Sequence, residues 1–227
     1  MAGVGGREVS GVRVLALSAS PRAGGNSETL LDEVCRGLQE GRRGQGEGPA
    51  VEKIRLGELT IRPCTQCDWC RERPTCVLDD DMKQLYPRLR EADWLILASP
   101  IYFMAHCAQA KLAIDRCQVF WASRYVRHER LQQAGRPRRR GVFVGAGATH
   151  GSKVFAGAKV TMKWLFDALD MEYFADCCHE GLDSKGAVLG HPTALGEAYA
   201  LGQRMATAGR PAGQESGAGA AGAAEAL

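Results

Sequence analysis

Val12-Arg-Val-Leu-Ala-Leu-Ser18-Ala-Ser20-Pro-Arg22-Ala-Gly24-Gly25-Asn26-Ser27 decides how this chain is read. A short apolar run, Val12 to Leu17, ends in a small polar loop, and Ser27 opens a stretch with Leu30, Leu31, Val34, Cys35 and Leu38 at helical spacing. That is a buried strand running into a helix, with Ser27 as its N-cap or first-turn residue. Hydroxyls, free backbone N–H groups, a positive helix end and one arginine converge in the loop, as a terminal phosphate requires. The loop lacks both G-x-G-x-x-G and G-x4-G-K-[ST], which argues for a single phosphate, hence a mononucleotide. A Gly/Ser-rich turn that only caps the helix is the alternative.

Working outward, strands and helices alternate. Val51 to Leu56, Trp94 to Ser99, Gly141 to Gly145 and Met171 to Asp176 read as further strands. Helices are expected after Asp79-Asp80-Asp81, which would cap one carrying Met82, Leu85, Tyr86 and Leu89, and over about 105–121, 152–169 and 193–205. Five such β-then-α units predict an α/β fold with an open, doubly wound parallel sheet. Ligands then bind beyond the carboxyl ends of the strands. Residues 1–11 read as a flexible N-terminus, 12–206 as the domain, 41–49 as a flexible breaker and 207–227 as a disordered Gly/Ala-rich tail.

Between the second strand and the next helix, residues 62–78 hold Cys64-x2-Cys67-x2-Cys70-x5-Cys76. Thiolates packed this tightly can occupy several corners of one iron–sulfur cube, with Cys76 returning to take the fourth iron. Structural zinc usually draws on two separated pairs. A redox-sensitive loop without metal is the third reading. Of the nine cysteines, Cys35, Cys107 and Cys117 lie on helical stretches and read as small buried hydrophobes, and Cys177-Cys178 as packing residues, with a second redox feature as the alternative.

A net charge of +3 is too small to argue for nucleic acid, and Arg136 to Arg140 read as a solvated loop entering a strand. No apolar stretch approaches the roughly 18 residues that cross a bilayer, and no leader pattern is visible, so a cytoplasmic protein with reduced thiols and no membrane or nucleic-acid partner is expected.

The loop Ser18 to Ser27 resembles the Ser-x-Ser-Pro-Arg-x-x-Gly-Asn-[Ser/Thr] phosphate loop of flavodoxin-like NAD(P)H-dependent FMN reductases. Ser99-Pro-Ile-Tyr102 is similar to that family's isoalloxazine loop, and Gln109-Ala-Lys111-x-x-Ile114-Asp115-Arg116 to its following helix. With the four cysteines, Asp80-Asp81-Met82, and Asp115-Arg-Cys-Gln118 followed by Trp121, the chain most resembles the iron–sulfur flavoprotein branch. The branch often has glycine before the second and fourth cysteines, where Gln66 and Thr75 stand here.

The resemblance implies a flavodoxin-like five-stranded sheet of order 2-1-3-4-5 with helices on both faces. It implies FMN on Ser18, Ser20, Arg22, Asn26, Ser27, Pro100, Ile101, Tyr102, Phe103, Gly145 and Gly147, and a [4Fe–4S] cluster on Cys64, Cys67, Cys70 and Cys76. NAD(P)H or ferredoxin would donate electrons, and a homodimer or homotetramer would set the cluster of one subunit against the flavin of another. No catalytic acid or base is identified. A cluster-free FMN or quinone reductase on the same fold, and a zinc-bound or redox-sensing interaction module without flavin, are the alternatives.

His106 and His150 could donate to a flavin or substrate, or be ordinary surface or helix-start residues. Lys111 and Asp115, four apart on a helix, are expected to pair. Trp121 and Tyr125 could line a neighbouring pocket, or pack in the core or a subunit contact.

Overall fold

A computed structural model of the protein describes residues 12–43 and 49–208. The expectations for residues 1–11, 44–48 and 209–227 lie outside the described residues.

The strand that opens the chain forms β1 (Arg13–Ser18) and leads into α1 (Asn26–Gly41). Then follow β2 (Ala50–Arg55), a 3-10 turn, α2 (Trp69–Glu72), α3 (Met82–Glu91), β3 (Trp94–Tyr102), β4 (Ala105–His106), α4 (Ala108–Arg116) and α5 (Gln118–Tyr125). The remainder is β5 (Arg140–Ala146), α6 (Ala156–Ala168), β6 (Glu172–His179), a second 3-10 turn and α7 (Ala194–Ala208).

The sheet order is β2-β1-β3-β5-β6, with all four neighbouring pairs parallel. This is the expected 2-1-3-4-5 arrangement of the five main strands. The sixth strand is an addition: β4 pairs antiparallel with the end of β3 through only two residue pairs.

Successive strand residues point to opposite faces, and both faces are buried. Val14, Ala16, Trp94, Ile96, Val142 and Val144 pack under α1 and α7, while Leu15, Leu17, Leu95, Leu97 and Phe143 pack under α3 to α6. The chain leaves β1 toward one edge and β3 toward the other. Their carboxyl ends therefore splay their loops apart and leave a crevice at the switch point.

One sequence expectation changes, and two gain detail. The single helix over 105–121 is a hairpin followed by two helices, α4 and α5, that meet at Cys117. Of its two expected places Ser27 takes the first turn of α1, and Gly25 holds the N-cap with no side-chain cap bond. Asp81 holds the N-cap place of α3, yet it accepts from the Thr60 N–H, while Asp80 accepts from the Met82 N–H. The carboxylates fasten the cysteine loop's flanks as well as the helix.

The arginine run also departs from a solvated loop. Arg139 is buried and donates to the carbonyls of Leu89, Ala92 and Leu169, so it ties α3 to the end of α6. Its neighbours are ion-paired: Arg136 with Asp93, Arg138 with Glu172.

Candidate functional site

Two of the cavities on this scaffold are lined by the expected site residues. The first, about 230 Å³, is the crevice at the carboxyl ends of β1, β3 and β5, and Ser20, Arg22, Gly25, Asn26, Ser27, Pro100, Ile101, Tyr102, Ala146 and Ala148 line it. Its far wall is Leu182, Asp183 and Lys185.

The phosphate-loop geometry is built locally. The Ser20 hydroxyl donates to the Arg22 carbonyl (2.9 Å) and accepts from the Arg22 N–H (3.1 Å), closing a tight turn. A Cβ on Gly25 would lie 2.7 Å from that hydroxyl, so the turn needs glycine there. Glu28 takes the Gly24 N–H at 2.9 Å and pairs with Lys53 and Arg55. Burial opposes ionisation of Glu28, but these partners outweigh it and hold its pKa below the usual range.

The first N–H groups of α1 have no intrahelical acceptor. Beside them the Ser27 hydroxyl is buried without a hydrogen-bond partner, as is the Ser18 hydroxyl at the end of β1. Orphaned buried hydroxyls, a positive helix end and the Arg22 guanidinium fit a phosphate.

The other expected residues separate. Pro100, Ile101 and Tyr102 reach the cavity, but Phe103 does not line it and is fully exposed. Phe103 and Met104 form the two-residue turn between β3 and β4, at φ of 51° and 60°. Such a hairpin favours left-handed residues at both centres, and bulky side chains adopt that conformation at a cost of about 1–2 kcal/mol each.

Gly145 and Gly147 face inward. Cβ atoms there would meet Cys178 and Phe155, or Val154, and Ala146 and Ala148 rather than the glycines line the crevice. His106 is buried with Nε2 3.1 Å from the Ala158 carbonyl, and burial lowers its pKa. His150 is exposed beside Glu180 (3.4 Å). Lys111 and Asp115 pair as expected, at 2.5 Å.

The second cavity, about 500 Å³, lies between residues 64–78 and the α4–α5 junction. All four cysteines line it, with Trp69, Arg71, Leu78, Arg116 and Trp121. Cys64 and Cys67 are exposed, while Cys70 and Cys76 are half-buried.

Gln66 and Asp68 carry φ of 52° and 60°. These left-handed turns flank Cys67 and wrap the run around the cavity. Position 66 thus has the backbone that glycine accepts freely, and Gln66 adopts it at a cost of about 1 kcal/mol. Thr75 has no such φ.

Arg116, wholly buried, organises the far side. It grips Asp80 at 2.5 and 3.1 Å, donates to the Arg62 carbonyl at 2.9 Å, and sets a guanidinium nitrogen 3.4 Å from Cys76 Sγ. Burial works against ionisation of Asp80, yet Arg116 and the Arg62 and Met82 N–H groups depress its pKa below the usual carboxylate range. Arg127 donates to the Cys70 carbonyl, and the Arg73 guanidinium lies 3.9 Å above the Trp69 ring. Burial, with smaller pushes from Cys64, Cys76 and Cys67, raises the Cys70 thiol.

Among the described residues no three of His, Cys, Asp and Glu are grouped to hold a single ion. The sulfurs instead share the wall of one cavity. That donor set fits a polynuclear centre, in which each thiolate takes a different iron.

Sequence reasoning missed Lys185, Asp183 and the Arg116–Cys76 contact. Arg116 stood inside a quoted motif without a role, and Asp183-Ser-Lys185 follows the last strand, where an α/β ligand loop belongs. The remaining cysteines pack. Cys35, Cys107, Cys117 and Cys177 are buried, and burial pushes Cys35, Cys117 and Cys177 up to about 12.

Comparison with known proteins places this geometry. Residues 12–176 match the family described as NADPH-dependent FMN reductase. An iron–sulfur flavoprotein of Methanocaldococcus jannaschii is 35% identical over 105 residues, 46% of this chain and 51% of that protein. One of Methanosarcina thermophila is 31% identical over 105 residues, 46% of this chain and 52% of its own. The matched stretch thus spans about half the length of these relatives.

Among solved structures, an FMN-dependent NADH-azoreductase of Bacillus anthracis, in complex with FMN, superposes with a TM-score of 0.58 at 15% identity. The match covers 86% of this chain and 98% of that one. An NAD(P)H:quinone oxidoreductase of Methanothermobacter marburgensis gives 0.59 at 15%, over 87% and 95%. These superpositions establish the shared fold.

Proposed function

The chain belongs to the NADPH-dependent FMN reductase family, and from that premise we propose that it is a flavin-dependent oxidoreductase that holds FMN and one [4Fe–4S] cluster. The single observation behind the pairing is that one chain carries both a phosphate cradle with orphaned hydroxyls and a four-cysteine cavity backed by a buried arginine.

Ser20, Arg22, Ser27 and the first turn of α1 would hold the FMN phosphate. Pro100, Ile101, Tyr102, Ala146 and Ala148 would flank its ring system. When bound, FMN would supply two-electron hydride chemistry and the cluster one-electron transfer, together a two-to-one conversion.

The chain's own residues bind, orient and exclude water. Apolar Ile101 and the two alanines form the ring-facing wall. Arg116, donating to Cys76 Sγ, would hold that sulfur in place as a cluster ligand. His106, turned to the Ala158 carbonyl, is not a proton donor to the crevice. Hydride transfer to a flavin needs none.

NAD(P)H, which the family name suggests, is the proposed donor, with ferredoxin the alternative. The reading includes a homo-oligomer in a reducing, cytoplasmic compartment. Exposed Phe103, Met104, Val160 and Trp164 support the former, and nine cysteines the latter. Among the described residues no helix is long and apolar enough to cross a membrane.

Anaerobic purification followed by flavin, iron and acid-labile sulfide assays tests this. About four irons and four sulfides per chain beside one FMN is the expected composition of a [4Fe–4S] flavoprotein. Full FMN occupancy with near-zero iron reduces the reading to a cluster-free reductase, and a chain that takes up no flavin overturns it.

A further inference from the structure

The wall that closes the first cavity comes from residues 182–188, outside every motif that carried the family resemblance. Asn26, which stands in the phosphate-loop motif, is spent on this wall. Its Nδ2 donates to the carbonyls of Leu182 (3.1 Å) and Ser184 (2.8 Å). Its Oδ1 accepts from the N–H groups of Gly186 (3.0 Å) and Val188 (3.3 Å). A primary amide has two donors and two acceptor positions, so this buried side chain has nothing left for a ligand.

What the clamp delivers is a cation. Lys185 lines the cavity with Arg22 and Ser27. Its Cε and Nζ lie 3.8 and 4.0 Å from where a Cβ on Gly24 would sit, so its chain runs along the phosphate loop itself. Among the described residues Lys185 is in no ion pair. The loop's other charged residue, Asp183, also lines the cavity and would repel a phosphate. The attraction therefore depends on Lys185, the side chain laid against the loop.

We propose that Lys185 is a second cation of the flavin phosphate site, and that Asn26 is a positioning residue that holds the Leu182–Val188 loop against it. This rests on the FMN reading above. A phosphate monoester carries about −1.5 to −2 charges at neutral pH, more than Arg22 alone balances. Riboflavin, with the same ring and no phosphate, has no use for the second cation. The Asn26–Lys185 pair therefore selects the phosphorylated flavin and leaves ring binding untouched.

Flavin fluorescence quenching on the full chain gives the test, with dissociation constants for FMN and riboflavin at two salt concentrations. Lys185→Gln is expected to weaken FMN about tenfold, roughly 1.4 kcal/mol. It should flatten the salt dependence and leave riboflavin unchanged, and Lys185→Arg should restore most of the loss. Asp183→Asn is expected to leave FMN equal or tighter. Asn26→Ala should lose FMN selectively; a merely structural Asn26 would weaken both flavins alike. Lys185 is exposed, so its substitution does not threaten folding and carries the test if Asn26→Ala fails to fold. Unchanged FMN affinity in Lys185→Gln, or equal losses for both flavins, overturns the proposal. A wild type that binds neither flavin instead overturns the FMN reading on which it rests.

Discussion

At the scale of single residues, the molecule concentrates its electrostatics in Arg116. Its side chain is buried with Asp80 and touches Cys76. Removing one partner of a buried pair leaves an uncompensated charge and costs about 3–5 kcal/mol, whereas replacing both is much cheaper. Arg116→Met is therefore expected to lower unfolding stability by that amount, and the Asp80→Asn, Arg116→Met double variant to recover most of it in urea titrations. Equal losses in the two variants would contradict the pairing.

His106 gives a pH signature. Its Nε2 meets a carbonyl while Nδ1 is buried without a partner, so protonation would bury an N–H with no acceptor. Burial lowers its folded pKa, and nearby Lys111 adds to this. The unfolded chain therefore takes up the proton first. The contribution is fully present above the ordinary histidine pKa of about 6.5 and is lost as pH falls below it. His179, also lowered by burial, acts in the same direction. Melting temperatures between pH 7.5 and 5 should fall less steeply in His106→Gln; an unaltered slope would contradict this. Neither environment was legible in the sequence, because burial of a histidine or an arginine depends on which distant segments cover it.

At the scale of elements, α1 and α7 make the closest helix contact. A Cβ on Gly37 would sit 2.1 Å from the Tyr199 carbonyl oxygen, and one on Gly202 2.1 Å from that of Val34. These are backbone atoms that cannot swing aside, so the helices would have to separate and pull α1 from the sheet. Gly37→Ala and Gly202→Ala are each expected to destabilise by about 1–3 kcal/mol or more, despite the better helix propensity of alanine. A gain in melting temperature would contradict the close packing.

Strands and helices themselves were readable, since both periodicities stand in the chain: Leu30, Leu31, Val34 and Leu38 on α1, and an apolar run in β3. The break at Cys117 and the β3–β4 hairpin were not. No proline or glycine marks the break, and Phe103-Met104 lacks the usual turn residues. Tertiary contact overrides local preference there.

At the scale of the whole molecule, the exposed hydrophobics are the open boundary. Phe103 protrudes beside the crevice, and Val160 and Trp164, four apart on α6, are exposed as well. A Cβ on Gly157 of α6 would lie 3.0 Å from the Met104 carbonyl oxygen, so the hairpin and α6 are neighbours. If this region joins subunits, Phe103→Ser with Trp164→Glu should shift the mass measured by light scattering toward one chain. An unchanged oligomer would assign the contact to another surface.

The sequence by itself determined a parallel α/β sheet and marked the two stretches expected to bind, while the strand order came from the family resemblance. Hydrophobic period, the small polar loop after β1 and the cysteine spacing are local properties that survive without coordinates. Only the tertiary structure decided what each site residue does. Asn26 turned from ligand to clamp, Phe103 from pocket to surface, Arg116 took a partner 36 residues away in the chain, and Lys185 came to lie along the loop at Gly24. The reason is physical: a side chain's period says which face it takes, while its hydrogen-bond partners come from whichever backbone the fold brings alongside.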